Sequence, residues 1–308
     1  MMSILKLIRF KNLIIIALVQ ILIKYALLVP FYTDYGVVTF LNPFEFTVLI
    51  LATICIAAAG YVINAIYSIE TNLINQPETV IVSKTLSETK AYNLFMIFNV
   101  IGVSAGFYLA YAINKPSLFV LFFAASALLY IYATALKQMP FIGNLVLAVV
   151  VALGLLIVGI FELFPAMTPG NKSNHILFFR IIVDYTLFVF GLTLIRAIVK
   201  DIEAVNGDYK LGMQTLPILF GRQRATLIAF VLTLLLILGV TAYVVHFFFE
   251  QLFLLIYFLI LVIGPLIYVS IKLYQAETAK EHRKINTYLK YILLAGLMSM
   301  LLYQFVLL

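Results

Sequence analysis

The sequence is organised as long apolar runs joined by short polar connections. Nine runs approach the ~20 residues that a bilayer core asks of a helix, at roughly 13–29, 46–68, 89–112, 117–135, 142–163, 176–199, 225–248, 251–272 and 288–307. None shows the alternating segments of about 10 residues that build a membrane barrel. Glycine and proline inside the runs, as at Gly60, Gly102, Gly191 and Gly264-Pro265, suit membrane helices packed closely on neighbours. The pattern predicts an all-α, polytopic membrane protein with nine transmembrane helices.

Composition agrees. Of 308 residues, 65% are apolar and 11% charged, against about 45–50% and about 25% in soluble domains. That excludes a soluble enzyme, a disordered chain and a secreted disulfide scaffold. Cys55 stands alone, so no intrachain disulfide is possible. His175, His246 and His282 are scattered without cysteine partners and suggest no zinc or haem site.

The distribution of basic residues orients the helices. Of the 20 Lys and Arg, sixteen fall at the N-terminus and in the connections after the second, fourth, sixth and eighth spans. The opposite connections hold only Lys115 and Lys172, and Lys24 and Arg180 lie within spans. The positive-inside rule then places the N-terminus in the cytoplasm and the C-terminus on the other side. The net charge of +7 sits on the cytoplasmic face, next to anionic membrane lipid, and needs no nucleic acid. The basic start lacks a small-residue cleavage site around Ala26–Pro30, so the first run reads as a membrane helix.

Polar chemistry concentrates in two of the cytoplasmic connections. After the second span, Asn64, Ser68 and Asn72 recur every fourth residue, one polar stripe if the helix continues to Pro77. After the sixth span, Asp201, Ala204 and Asp208 follow at i, i+3, i+7, again one face. Two such faces suggest a pseudo-repeated pocket on the cytoplasmic side. Lys24, Arg180 and Asp184 are read as lying near span ends or pairing locally.

These connections resemble those of the UbiA superfamily of intramembrane prenyltransferases, which carry N-D-x-x-D-x-x-x-D…N-x-P after helix two and D-x-x-D-x-x-x-D after helix six. The matching residues are Asn64…Asn75-Gln76-Pro77 with Ser83-Lys84, then Arg196…Lys200-Asp201…Asp208…Leu216-Pro217. Further matches are Arg9…Asn12 and Lys137…Pro140…Gly143-Asn144. The second motif is most similar to the branch containing lipid-glycerol geranylgeranyl transferases. The resemblance covers nearly the whole chain. It implies a single domain over 1–308 and nine helices around a central lipid-accessible cavity. It also implies transfer of a prenyl group from a prenyl diphosphate to a lipophilic acceptor, with Mg²⁺ neutralising the leaving group.

The resemblance further implies roles by position. Asp201, Asp208 and Asn64 would be catalytic, with Asp201 and Asp208 holding metal. Lys84, Lys137, Arg196, Lys200 and Asn144 would bind the diphosphate. Yet the three first-motif aspartates fall on Ala65, Ser68 and Asn72, and the middle aspartate of the second falls on Ala204. The expected metal site is therefore weakened or lost, holding one Mg²⁺ rather than two, or none. The alternative is a catalytically impaired homologue, a pseudoenzyme or engineered variant, that binds prenyl diphosphate or lipid. An unrelated transporter would instead show broken helices with polar residues at mid-membrane.

Overall fold

The computed structural model describes residues 2–307, and within them every regular element is helical. Among the described residues nine helices are long and apolar enough to cross a membrane, so the chain is an integral, multi-pass membrane protein. They are α1 (Phe10–Tyr35), α2 (Pro43–Ile66), α4 (Glu88–Ala112), α5 (Pro116–Thr134), α6 (Ile142–Leu163), α7 (Lys172–Lys210), α8 (Arg222–Phe248), α9 (Leu252–Gln275) and α10 (Ala279–Leu302). A short helix, α3 (Ile69–Asn75), follows α2.

Local chemistry sets the helix starts. Asn42 and Glu45 form a capping box around Pro43 at the first turn of α2. Thr278 and Glu281 do the same for α10. That second box explains why α10 begins well before the apolar run near 288: a capped, polar first half needs no lipid. Likewise α7 runs on past the apolar stretch to Lys210, eleven residues beyond the expected end at 199.

The fold divides into two compact units. The first contains residues up to Lys137 together with Leu153–Ile182. The second contains Gln138–Ala152 and the residues from Val183 onward. In the first unit α2 packs along α4 and α5. Glycine allows the close approach: a Cβ at Gly102 would lie 2.8 Å from the Ile56 side chain, and one at Gly106 would lie 2.3 Å from Phe122.

The first unit also buries polar groups that the apolar runs concealed. Gln20 on α1 is buried, donates to the Gly154 carbonyl at 2.9 Å and accepts from the Thr53 hydroxyl at 3.0 Å. Lys24 lies in the middle of α1, in a π-helical stretch (Ile23–Leu28), rather than near a span end. Its partner is not local: the ammonium meets the Glu162 carboxylate of α6 at 2.8 Å, with side chains only 4% and 0% exposed. Both charges close on Leu41 in the α1–α2 connection. The Leu41 carbonyl accepts from Lys24 at 2.5 Å, and its N–H donates to Glu162 at 3.1 Å. Arg180, by contrast, is exposed.

Removing one member of such a pair strands the other charge in a dry site, at a cost of about 3–5 kcal/mol. Lys24→Met should therefore lower the unfolding temperature in detergent sharply, and Lys24→Met with Glu162→Leu should regain most of the loss. A single variant as stable as the parent would show that the pair does not hold the α1–α2 connection.

Candidate active site

The first motif lies in the first unit, and the helix carrying it does not run on to Pro77 as expected. α2 stops at Ile66, Tyr67 and Ser68 form a turn, and α3 starts afresh at Ile69. Asn64, Ser68 and Asn72 therefore straddle a break instead of forming one continuous stripe. The break coincides with a tertiary contact. Ser68, 2% exposed, accepts a hydrogen bond from the Lys137 ammonium at 2.5 Å.

The neighbouring residues complete this half. Asn64 is half-buried, and its Oδ1 is buried without a hydrogen-bond partner, as is Thr71 Oγ1. Ala65 contributes no donor atom, and Asn72 is half-buried. One turn before Asn64, Tyr61 gathers the matched N-terminal residues: the Arg9 guanidinium lies 5.2 Å from its ring centroid, and the Asn12 amide donates to its hydroxyl at 3.4 Å. Lys84 is exposed, its ammonium donating to the Pro77 carbonyl at 2.6 Å. The exposed Tyr67 phenol, hydrogen-bonded to Tyr92, has its pKa raised above the ordinary tyrosine value, with desolvation adding to the effect.

The second motif lies in the second unit, on unbroken helix. Asp201, Ala204 and Asp208 all fall within α7 and share a face. Asp201 is half-buried and accepts from the Asn144 amide at 2.7 Å; Asn144 is itself 5% exposed. Asp208 is buried near the end of α7, where its carbonyl accepts from Met213 across Gly212, which takes positive φ. Arg196 is about 140° around the helix from Asp201. Its Nε donates to Asn286 of α10 at 3.0 Å. Lys200 is exposed. Glu203 accepts from Arg283 at 2.7 Å.

So the structure places Asn144 on a motif carboxylate and Asn286 on the motif arginine. Neither contact could be read from the sequence, because each joins residues far apart in the chain with no spacing signature. The second unit also has a cavity of about 290 Å³ lined by Asp184, Tyr185, Phe188, Leu236, Tyr243 and Gly296 among others. Asp184 therefore faces a cavity rather than a span end, and no motif residue lines it. Among the described residues no group of three or more His, Cys, Asp and Glu could hold a metal ion.

With this geometry in place, comparison with known proteins is direct. The profile of the UbiA prenyltransferase family matches residues 22–304. The chain belongs to that family. It is thus a membrane prenyltransferase of the UbiA type. It is 35% identical to the digeranylgeranylglyceryl phosphate synthase of Saccharolobus solfataricus over 248 residues, covering 80% of each chain. It is 29% identical to the enzyme of the same name from Methanosphaera stadtmanae, covering 82% of this chain and 86% of that one. Among solved structures, a digeranylgeranylglyceryl phosphate synthase superposes with a TM-score of 0.62 at 21% identity, covering 97% of this chain and 98% of that chain. A UbiA homologue from Archaeoglobus fulgidus bound to DMAPP and Mg²⁺ superposes at 0.58 with 16% identity, covering 97% and 99%. These superpositions bear out the all-α, nine-helix fold of the family.

The two contacts of α7 differ in expected worth. Asn144→Ala would remove the 2.7 Å charge-assisted hydrogen bond to the Asp201 carboxylate, worth about 1.5–3 kcal/mol of stability. Arg283→Ala removes a pair whose arginine is 52% exposed, worth at most about 1 kcal/mol. Denaturation of both variants in detergent checks the order; a larger loss from Arg283→Ala would reverse this assignment.

Proposed function

We propose that this chain is a digeranylgeranylglyceryl phosphate synthase. It moves a geranylgeranyl group from geranylgeranyl diphosphate onto the free hydroxyl of a glyceryl phosphate lipid that already carries one such chain. The observation that carries this reading is the 35% identity with the Saccharolobus solfataricus enzyme, over four-fifths of both chains. In this reading residues 1–308 act as one domain around a lipid-accessible cavity. The distribution of Lys and Arg supports a cytoplasmic N-terminus, a C-terminus on the opposite side, and a site on the cytoplasmic face.

Breaking the bond between the allylic carbon and the diphosphate oxygen puts growing negative charge on the leaving group. Mg²⁺, when bound, neutralises part of that charge. The A. fulgidus homologue with DMAPP and Mg²⁺ supports this ion for the present chain. The donor set of the second motif is compatible with one ion: Asp201 and Asp208 lie on one helix face about two turns apart, so one carboxylate would bind directly and the other through water or substrate oxygens, within the one or two carboxylates usual for Mg²⁺. The first-motif positions Asn64, Ala65, Ser68 and Asn72 offer no carboxylate for a second ion, and the nearest acid, Glu70, is exposed.

The chain's own residues do the remainder. Asn144 holds the Asp201 carboxylate in place, and Asn286 holds the Arg196 guanidinium. Arg196, Lys200, Lys84 and Lys137 supply positive charge for the diphosphate on the cytoplasmic side. The apolar helices keep water from the allylic cation until the acceptor hydroxyl oxygen captures it, the hydroxyl proton passing to the departing diphosphate.

Incubation of the purified protein with Mg²⁺, geranylgeranyl diphosphate and geranylgeranylglyceryl phosphate should yield the two-chain phosphate by mass spectrometry. Asp201→Asn and Asp208→Asn should each lower kcat by about a hundredfold or more, the scale of losing electrostatic stabilisation of a developing charge. The acid-free first motif favours one other reading, a homologue that binds prenyl diphosphate without turnover. Binding with no product would support it against ours. Full activity in both variants would remove the metal role from α7.

A further inference from the structure

The second unit holds a cavity of about 290 Å³ that the motif chemistry does not use. It lies among four helices: Asp184 lines it from α7, Gly239 and Tyr243 from α8, Phe258 from α9 and Gly296 from α10. On α8 the exposed residues Leu227, Val231, Leu234, Leu235 and Leu238 recur every three or four positions and form one lipid-facing stripe. Leu235, at the edge of that stripe, also lines the cavity, and so does the exposed Leu187 of α7. Both lie midway along their apolar runs, so the cavity opens sideways to the bilayer core. Its polar lining residues are Asp184, Tyr185 and Tyr243, and no lysine or arginine is among the lining residues. The two tyrosine hydroxyls are held in place by Ser299 at 2.6 Å and by Tyr303 at 2.8 Å.

We propose that this cavity is a second ligand site, one for an uncharged isoprenoid alcohol that enters from the bilayer and donates its hydroxyl to Asp184. An acidic side chain at membrane depth faces a cavity when it serves a ligand or a pathway. The lipid-facing mouth selects an apolar body. A carboxyl and two phenols without a basic residue attract a hydroxyl and no anion, which separates this site from the diphosphate chemistry of the motifs. A carboxylate has about four acceptor positions, so a ligand hydroxyl joins the contacts that Asp184 already makes. At about 30 Å³ per water-sized group, the cavity houses about ten heavy atoms, the size of a ten-carbon alcohol. A longer chain leaves its remainder in the lipid outside. This site stands apart from the prenyl-transfer reading and does not depend on it.

The test uses geraniol carrying a photoreactive diazirine on its chain, added to the full-length protein in lipid nanodiscs, with the label mapped by mass spectrometry. The label should fall on α7 near Leu187 and on α8 near Gly239. Excess geraniol should remove it, whereas decane and the unreactive anion geranyl S-thiolodiphosphate should not. Gly239→Leu should abolish it: a Cβ at Gly239 meets nothing within 4 Å, so the added side chain fills the cavity without pressing on a neighbour. Val240→Phe, filling from the next position, should do the same. Asp184→Leu should weaken labelling by about tenfold, the scale of one hydrogen bond to an ionised group, and Asp184→Asn should keep most of it. Thermal melts show that each variant is folded. Label spread along the α8 stripe and unchanged in both filled variants overturns the inference. Removal by decane as effective as by geraniol overturns it too, since the hydroxyl then has no role. Removal by the thiolodiphosphate also overturns it, by placing the probe at the diphosphate site, and leaves the prenyl-transfer reading standing.

Discussion

Charge inside a bilayer has no water to answer it, so each charged group must bring its own partner. Lys24 and Glu162 are the strongest case: both are buried, they meet at 2.8 Å, and each makes one further hydrogen bond to the backbone of Leu41. The α1–α2 connection is thus pinned to two helices by one ion pair. Nearby, the buried His175 reaches the Val38 carbonyl at 3.0 Å, and Asn174 donates to the Tyr35 carbonyl at 2.7 Å, fixing the same connection further. The polar groups of the candidate site obey the same constraint. Asn144 serves Asp201, Asn286 serves Arg196, and Ser68 serves Lys137.

The two motifs meet this constraint in different ways. The second keeps its helix intact to Lys210, and an intact helix holds Asp201 and Asp208 on a common face whatever their surroundings. The first has neutral residues at Asn64, Ala65, Ser68 and Asn72, and its helix is interrupted at Tyr67 and Ser68. The metal site proposed for this enzyme accordingly rests on α7.

Much of the fold was legible in the sequence, because the ~20-residue length that lipid imposes is written directly as apolar runs. The ends were less so. α10 begins at a capping box that hydropathy does not register, and α7 outruns its apolar stretch. The buried polar groups were hidden for a different reason. Glu162 sits at the end of an apolar run next to Leu163 and Phe164, where it looks like the start of a connection. Gln20 is masked by the aliphatic residues on either side of it. The motif positions could be found by resemblance, but the second residue in each contact, Asn144 for Asp201 or Asn286 for Arg196, depends on tertiary pairing that no spacing records.

The account turns on how many divalent ions the site takes. Mn²⁺ in place of Mg²⁺ can be counted by electron paramagnetic resonance in the complex of the full-length protein with geranylgeranyl S-thiolodiphosphate, an unreactive analogue of the substrate. One bound Mn²⁺ per chain, reduced to none by Asp201→Asn with Asp208→Asn, is the result this account predicts. Two bound ions per chain, or one that persists when both carboxylates are removed, would contradict it.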